Sequence, residues 1–539
     1  MSSSKNLKKK AEQAQVIFDQ LVEMYGIHPI PTTFVADASK HPMFAKACVT
    51  NVPFPGPFAG ALSYVRSDGV SKLFKEEKVL QTPAIAAVLS ACSSVATEIG
   101  ELRGDDVSDA ETYCDMAFAG MQAIRLFMSD TTGRKFRKRR FDSAVSVDNA
   151  FNGTFHKYTT KDNREFSFHV YYQDQQRKLV EALHMSKPSK KYTFLSVPKD
   201  KKEIAEVVSQ YDAIELEDKA FDCGACACML RSRSEWESSD VGQAVIKQPL
   251  IDEVKETDGD KPNWGVPNSR GPLSGIKVLD LTHIIAGPAC SRILVEYGAD
   301  VLMVRRGKFM TQEQAMLEFD GWAGKNSIQL DFNDPTQLAK CKELIKEADV
   351  VTYSYQNGTL DKFGLSEEDI RALNPNVIYS NLNCFSETVW RTRPGWAPCA
   401  EDMTGLSVRN GSMEKPKNLN GVPLDYFPGF ILALGTLLAI KHKLEQGGGY
   451  KVTTSLTRGA QYLHEVTDLC EGNTVSHTGY SRIVKHVEEP TWDQVLHYVG
   501  GCAIGGKAGF PGPGTVNTAY PFNKRNLVFT DGNTTWNQK

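Results

Sequence analysis

The chain has 539 residues, of which 24% are charged and 41% are apolar, so it is long enough to build more than one hydrophobic core. Lysine and arginine number 62 against 65 aspartates and glutamates, and this near balance gives no reason to expect nucleic acid or a membrane surface as a partner. Such usage is typical of ordinary globular proteins.

The 12 cysteines are scattered, and the one dense group is Cys223-Gly-Ala-Cys226-Ala-Cys228. No second Cys or His pair at metal-site spacing completes four ligands, so we interpret these residues as small buried thiols and expect no metal. The basic N-terminus runs into a polar helical stretch, and no apolar run approaches the ~20 residues that span a bilayer. We therefore expect an intracellular protein in the cytoplasm, with mitochondria and peroxisomes left open, although the C-terminus carries no SKL-type address.

The first half of the chain is predicted to be mixed α and β. Apolar spacing predicts a helix at 10–27 and a pair of packed helices across 84–130. Alternation predicts a short strand at 166–171, and helices follow at 175–184 and 201–210.

A linker is predicted at 252–272, because acidic, Pro and Gly residues accumulate there and apolar periodicity stops. Beyond it, apolar runs predict strands at 275–282, 299–305, 348–355 and 377–384, with helices between them. This alternation is typical of an α/β doubly wound parallel sheet, which binds ligands at the carboxyl ends of its strands. The loops at those ends are 282–288, 305–310, 353–358 and 384–398.

Four motifs occur in series. They are GPLSGIKVLDLTHIIAGPACSRILVEYGADVLMVRRG, GKNSIQLDF, ADVVTYSYQNGTLDKFGLSEEDIRALNPNVIYSNLNCF and DYFPGFILALGTLLAIKHKLEQGGGYKVTTSL. In order and spacing, residues 272–460 resemble the family III CoA-transferases (the CaiB/BaiF family), which include formyl-CoA transferase and α-methylacyl-CoA racemase. The resemblance implies a Rossmann-like CoA-binding domain at 273–460, a C-terminal tail at 461–539, and coenzyme A or acyl-CoA as a substrate rather than a permanently bound cofactor.

The first half also resembles the family, less specifically. DNREFSFHVYYQDQQRKLVEAL and GACACMLRSRSEWESSDVGQAV look like the family's distal small-domain segment, which here precedes the nucleotide-binding part. We interpret 1–251 as a degenerate family III-like region, with the small-domain-like segment at about 150–250, and expect 465–539 to form loops that pack back onto a domain. Family members form interlaced dimers, so the resemblance implies a homodimer, unless the fused halves satisfy that interface within one chain.

Family members hold CoA over the strand ends. The resemblance carries these cofactor contacts onto Ile285, Ala286, Arg306, Leu330, Asp331, Asn333, Ser354, Tyr355, Gln356, Lys362, Trp396 and Ala397. The cationic side chains of Arg306 and Lys362 suit the phosphates of CoA as charge-assisted donors. Considered alone, Arg306 fits a solvated strand end as well as it fits a CoA contact. Tyr355 likewise fits a core aromatic residue as well as a CoA contact.

Asp425 lies in Pro423-Leu-Asp-Tyr-Phe-Pro-Gly429, just before an apolar helix. As an N-cap it would accept backbone N–H groups, which would lower its pKa. The resemblance implies instead that it is the acyl-transfer residue, whose carboxylate attacks the thioester to give a mixed anhydride and CoA thiolate. Backbone N–H groups of the Ala286-Gly287 turn or of Gly447–Gly449 would stabilise the oxyanion, although the latter is better explained as a helix C-cap.

Racemisation needs two acid/base groups on opposite faces of the α-carbon. The family's racemases have a His-Asp pair at positions that fall on Trp396 and Ala397, so the His is missing. Glu401, Asp402 or His283 would have to replace it. For Glu401 and Asp402 we favour a solvated helix face, and for His283 a loop hydrogen bond.

The predicted function is therefore CoA transfer between an acyl-CoA and a carboxylic acid. Acyl-CoA racemisation and a CoA-binding relic without turnover stay open as alternatives. Ile285 stands where formyl-CoA transferase has a polar amide near the acyl group, so an apolar or larger acyl group fits better than oxalate.

Overall fold

The computed structural model of the chain describes residues 2–35, 77–124, 157–170, 173–185, 201–306, 320–419, 421–472, 481–484 and 515–517. The strands are β1 Thr32–Val35, β2 Thr112–Asp115, β3 Lys157–Thr159, β4 Glu165–Phe168, β5 Ala227–Met229, β6 Asp252–Thr257, β7 Lys277–Leu281, β8 Asp300–Arg306, β9 Asn326–Leu330, β10 Val350–Tyr353, β11 Ile378–Asn383, β12 Gly449–Ser455, β13 Ser481–Val484 and β14 Thr515–Asn517. The helices are α1 Ser2–Tyr25, α2 Gln81–Leu102, α3 Met116–Met121, α4 Gln173–Ala182, α5 Lys201–Val208, α6 Ala213–Asp222, α7 Arg233–Ser238, α8 Asp240–Ile246, α9 Ala286–Glu296, α10 Pro335–Glu347, α11 Glu367–Leu373, α12 Ala397–Thr404, α13 Leu406–Asn410, α14 Pro423–Gln446 and α15 Leu456–Gly472.

The largest sheet has seven strands in the order β6-β12-β11-β10-β7-β8-β9. From β12 to β9 every neighbouring pair is parallel, and β7 pairs with β10 on one side and β8 on the other. Parallel strands are covered on both faces and are therefore largely apolar, as in the fully buried Val350–Tyr353. The chain runs from β7 outward to β9 and then returns to β10, which is the Rossmann strand order, so the predicted α/β fold is confirmed. The switch point of this order lies between β7 and β10.

The predicted linker is corrected at its start. Residues 252–257 form β6, which pairs antiparallel with β12 at the edge of the large sheet. Its side chains are mostly exposed, since an edge strand on the solvent side needs few apolar residues, and this polarity hid the strand from the sequence pattern. The sheet therefore begins before the linker ends.

The first half contributes two smaller sheets. One has the order β13-β1-β2-β14 and joins strands from both ends of the chain, and the other is the antiparallel β3-β4-β5. The second of the two packed helices predicted across 84–130 is corrected at its start, because Thr112–Asp115 is a strand that pairs parallel with Thr32–Val35, while Met116–Met121 is helical as predicted. The expectation of loops over 465–539 is corrected as well, since α15 continues to Gly472. The rest of that stretch lies outside the described residues except for β13 and β14.

Helix α14 forms the centre of the main core. It starts with Pro423 at its first position, where the missing N–H costs nothing, and Gly447 ends it with a φ of 67°, so the C-cap interpretation is confirmed. In the described part of the chain, α2 and α14 are long and apolar enough to cross a membrane, which corrects the expectation that no run reaches that length. Their apolar windows are 89% and 94% buried inside the protein, so core packing explains this composition.

The two halves share a polar contact beside α14. The buried guanidinium of Arg103, which ends α2, donates hydrogen bonds to the carbonyls of Pro272 (2.6 Å), Ser274 (2.9 Å) and Trp264 (2.7 Å). These carbonyls flank the start of the large sheet. An arginine from the first half thus holds the segment that leads into β7.

Candidate active site

The loop between β7 and α9 is strained and closely packed. Ile284 has a φ of 67°, which is rare for a β-branched residue and marks a backbone held by its surroundings. The N–H of His283 donates to Ser354 Oγ (3.2 Å), and a Cβ added at Gly287 would lie only 2.7 Å from the same oxygen. The loops after β7 and β10 are therefore pressed together at the switch point.

Two aromatic rings extend this contact. The imidazole of His283 stacks on Tyr355 with centroids 4.5 Å apart and planes inclined by 19°. Tyr355 is 9% exposed and packs in a core cluster, so its side chain is a core aromatic, which is one of the two roles predicted for it. His283 makes the predicted loop hydrogen bond through its backbone, while its ring is engaged by stacking.

A buried ion pair lies directly beneath this loop. Lys325 Nζ donates to Asp280 Oδ2 (2.7 Å) and to Ser291 Oγ (2.7 Å), and Thr282 N–H donates to Asp280 Oδ1 (3.0 Å). Burial alone would raise the pKa of Asp280, but Lys325 and the hydroxyl donors hold that pKa below its usual range. Burial lowers the pKa of Lys325. Lys325 Nζ also donates to the Pro288 carbonyl (3.0 Å) in the first turn of α9, so the pair joins the end of β7, helix α9 and the residue before β9. No sequence pattern indicated this pair.

The ends of β8 and β9 bring the next predicted residues to the same edge. Arg306 and Leu330 are register partners at the last positions of their strands. The Leu330 side chain is buried in the core, so only its backbone faces the edge. Asp331 Oδ1 accepts from the N–H (3.0 Å) and the side-chain amide (2.9 Å) of Asn333, which forms a closed polar turn after β9.

The segment after β10 is tied to the segment after β11. The Gln356 side-chain amide donates to the carbonyl of Thr392. Lys362 is exposed in a 3₁₀ turn, with its ammonium 4.9 Å from the centroid of the Phe363 ring. This cation stands on the solvent side of the edge, where a phosphate group can reach it.

Trp396 and Ala397 lie at the start of α12, with Trp396 as its N-cap residue. Ala397 is 1% exposed, and Trp396 is half-buried against the main core. Their contacts with CoA stay predictions. The packing of both side chains shows that neither substitutes for the acid/base pair of a racemase.

Asp425 is the third residue of α14, not its N-cap, which is Val422. The Asp425 N–H donates to the carbonyl of Val422 (3.1 Å). Its neighbours Leu424, Tyr426 and Phe427 are buried, and the carboxyl itself is half-buried. Burial raises the pKa of Asp425 to about 7, so the expected lowering of the pKa by capping is wrong.

The same face of α14 meets the switch-point loop. A Cβ at Gly429 would collide with the carbonyl oxygen of Ala286 and lie 3.1 Å from Ala289 Cβ. Gly429 follows Asp425 by one helical turn, so the two residues share a face. The helix therefore presents the Asp425 carboxyl toward the loop that contains Ile285 and Ala286.

A second carboxyl lies close to Asp425. Glu401 on α12 is 4% exposed, and its Oε2 accepts from the Asn418 side chain (2.8 Å) and the Leu419 N–H (2.9 Å). Burial and, to a smaller extent, the negative charges of Asp402 and Asp425 raise the pKa of Glu401 to about 8. The predicted solvated face is wrong for Glu401 and for Asp402, which is 0% exposed. The site thus holds two carboxyls whose pKa values lie near or above neutrality.

Replacing Gly429 with Ala is expected to lower catalytic efficiency roughly 10²-fold, since displacement of a reacting group by about 1 Å costs that much. The new methyl group meets a main-chain carbonyl, which cannot rotate away, so α14 must move from the loop. The measurement is kcat/KM for CoA transfer with thermal unfolding alongside. Gly259→Ala is the control, because the nearest atoms to its Cβ all belong to the side-chain amide of Asn376, which can rotate away. Equal activity in both variants would contradict the prediction.

A family model described as CoA-transferase family III matches residues 273–480. An acyl-CoA transferase from Gibberella moniliformis is 30% identical over 54% of this chain and 53% of its own length. The beta subunit of succinyl-CoA–L-malate CoA-transferase from Chloroflexus aurantiacus is 31% identical over 34% of this chain and 49% of its own length. A solved CaiB/BaiF family protein from Brucella suis is 26% identical with a TM-score of 0.33, over 38% of this chain and 59% of that chain. The chain spans about half the length of the curated relatives it matches.

Proposed function

We propose that this chain transfers coenzyme A from an acyl-CoA thioester to a carboxylic acid, because a family model described as CoA-transferase family III matches residues 273–480. The Rossmann strand order supports this proposal, since such sheets bind nucleotides at the carboxyl edge beside the switch point. The exposed Lys362 offers a cation near that edge for the phosphates of CoA.

One observation carries the proposal: Asp425 shares a helix face with Gly429, which touches the Ala286 carbonyl in the switch-point loop. This contact supports a position of the Asp425 carboxyl beside the crevice where the thioester end of bound CoA would lie. A carboxylate there can act as a nucleophile toward the thioester carbon. The carboxyl also lies in apolar surroundings, which increase the reactivity of its anion.

The proposed reaction proceeds in balanced steps. The Asp425 carboxylate attacks the acyl carbon, the C–S bond breaks, and a mixed anhydride and CoA thiolate form. The thiolate then attacks the aspartyl carbonyl, which gives aspartyl-CoA and releases the first acid as its carboxylate. The second acid attacks aspartyl-CoA, the thiolate leaves, and its return to the new acyl carbon yields the product thioester and regenerates Asp425.

The oxyanion of each tetrahedral intermediate needs backbone donors. The first turn of α9 begins at Ala286 and Gly287, and first-turn N–H groups have no partner within their own helix. Gly447–Gly449 is the weaker candidate, since Gly447 ends α14 and the Gly449 N–H donates to Thr257 Oγ1 (2.9 Å). We assign the oxyanion site to the α9 turn.

Ile285 favours an apolar acyl group as substrate, because it lies next to this turn and is 6% exposed among core residues. Purified protein should therefore be incubated with short-chain, branched and succinyl thioesters of CoA and a panel of carboxylic acids. The expected result is an acid-dependent appearance of the new acyl-CoA by mass spectrometry. Binding of CoA without any exchange would leave only a relic, and α-proton exchange in deuterated water without an acid would favour racemisation.

The rate of transfer is expected to rise with pH through an apparent pKa of about 7, since the nucleophile is the ionised form of Asp425 and burial raises its pKa. The measurement is kcat/KM for the acyl-CoA on both sides of neutrality. In Glu401→Gln the rate should rise with pH in the same way, because burial is the cause of the raised pKa of Asp425. Glu401 still carries its proton when Asp425 ionises, so its loss should not change that titration. A rate that is flat across neutrality would refute this assignment.

A further inference from the structure

Three buried donor side chains meet between the small antiparallel sheet and α12. His169 follows β4, Cys228 lies on β5 and Cys399 lies on α12, and their ligand atoms are all within 4.8 Å of one another. Their exposures are 7%, 0% and 1%. No part of the proposed transferase chemistry uses these residues. Their convergence therefore needs a separate explanation.

We propose that His169, Cys228 and Cys399 form a zinc site that joins the β3-β4-β5 sheet to α12. Two thiolates and one imidazole are typical zinc ligands, with Zn–S distances of about 2.3 Å and Zn–N distances of about 2.0 Å. Such bonds place donor atoms of a tetrahedral ion about 3.5 to 3.8 Å apart. The observed separations lie close enough to this range that small side-chain rotations bring the donors onto one ion.

Asp402 gives the imidazole an outer partner. It follows Cys399 by three residues on α12, so both side chains lie on one face of that helix. Its Oδ2 is 3.6 Å from His169 Nε2 and accepts from Ser167 Oγ (2.6 Å), and its Oδ1 accepts from Lys157 Nζ (3.1 Å). Carboxylate-bonded histidines are typical of zinc sites, and this orientation directs Nδ1 to the ion.

The formal charges of the assembled site balance. Two thiolates and the Asp402 carboxylate carry three negative charges, while a zinc ion and the Lys157 ammonium carry three positive charges. A buried cluster needs such neutrality, because an uncompensated charge in the interior is costly. Without the ion, the thiols stay protonated, since burial raises the pKa of Cys228 and raises the pKa of Cys399 to about 11.

Two further buried thiols lie near the cluster but outside the group of donor atoms within 4.8 Å of one another. Cys226 and Cys384 are 1% and 7% exposed, and both act electrostatically on Cys399. The Cys384 thiol lies 4.0 Å from the carbonyl of Trp396, at the N-terminal end of the same helix. The sequence pattern concealed the site, because Cys228 and Cys399 are separated by 171 positions. The sheet topology brings them together.

The direct test is the metal content of the full, untagged chain by inductively coupled plasma mass spectrometry, with about one zinc per chain expected. Cobalt added to the metal-free chain should produce a thiolate-to-cobalt charge-transfer band. Cys228→Ser and Cys399→Ser should each lose the band and the zinc. Cys341→Ser, at a thiol that is 0% exposed in a different core cluster, should keep both.

Two further variants keep the test independent of folding. His169→Cys retains a zinc ligand set and should still bind, while Asp402→Asn should weaken zinc about 10- to 100-fold as an outer partner does. The proposal is overturned if the unaltered chain carries no zinc and gives no cobalt band. It is also overturned if non-reducing mass spectrometry finds a Cys228–Cys399 disulfide instead. CoA transfer is not a readout, so failure of the proposed function leaves this test unaffected.

Discussion

Replacing Asp425 with Asn is expected to lower the kcat for CoA transfer by roughly 10³-fold or more, because an amide cannot attack the thioester and loss of a covalent nucleophile removes most of the acceleration. The affinity for CoA should stay within a few-fold, since the phosphate contacts are predicted at the strand ends and not on α14. The measurements are steady-state exchange between an acyl-CoA and an acid, and calorimetric titration with CoA. Trapping with hydroxylamine followed by peptide mass spectrometry should place a hydroxamate at position 425 in the unaltered protein and nowhere in the variant.

The matched control for this variant is Asp258→Asn, whose carboxyl is 99% exposed and should not affect the rate. The thermal stability of the variant distinguishes a loss of the nucleophile from a loss of folding. The pKa of Asp425 is about 7 in the folded state and about 3.9 in the unfolded chain, so its ionisation opposes folding. This destabilisation is absent below the unfolded pKa, grows as pH rises through the window between the two values, and is complete above about 7. Above neutrality Asp425→Asn should thus melt no lower than the unaltered chain, and an active Asn variant would refute the role of Asp425.

Replacing Lys325 with Met is expected to lower the free energy of unfolding by about 3 to 5 kcal/mol, because it leaves the buried Asp280 carboxylate without its partner. The 2.7 Å contact is fully buried, so no solvent replaces the ammonium. Chemical denaturation and thermal melting give the change. The same variant should weaken CoA binding, since the loop before α9 loses the support that holds its first turn.

A double-mutant cycle measures the interaction energy between Asp280 and Lys325. Asp280→Asn with Lys325→Met removes both charges and should recover part of the loss, because no uncompensated ion remains in the core. Lys277→Met is the surface control, since its 3.5 Å pair with Glu347 is exposed and such pairs contribute about 0 to 1 kcal/mol. Similar decreases in the free energy of unfolding for Lys325→Met and Lys277→Met would show that the buried pair contributes no more to stability than a surface pair.

The sequence predicts the large sheet well because its strands carry their own signal. Val350–Tyr353 is apolar on both faces, as a strand covered on both sides must be, and the loop after it reaches the expected edge. Asp252–Thr257 carries no such signal, because an edge strand takes its stability from one neighbour. Thr112–Asp115 is only four residues long, which is too short for a clear alternating pattern. Its pairing with β1, which no local pattern predicts, makes it a strand.

The protonation of the site was less predictable than its location. The motif places Asp425 at the head of α14, but its raised pKa depends on packing by segments distant in sequence. Glu401 shows the same limit more clearly. Two adjacent acidic residues on a short helix are typical of an exposed face, yet Asn418 and Leu419 cover Glu401 while Ser167 and Lys157 cover Asp402. The sequence of α12 itself does not indicate that either carboxyl is buried by these distant residues.

The guanidinium of Arg103 and the pairing of β6 with β12 both cross the border at which the family resemblance begins. Excising residues 273–480 would strip a strand from the sheet and uncover the apolar side of α14 that packs on α2. The matched region is consequently not an independent folding unit. The preceding half supplies an edge strand, an arginine contact and a helix that this region needs for its own sheet and core.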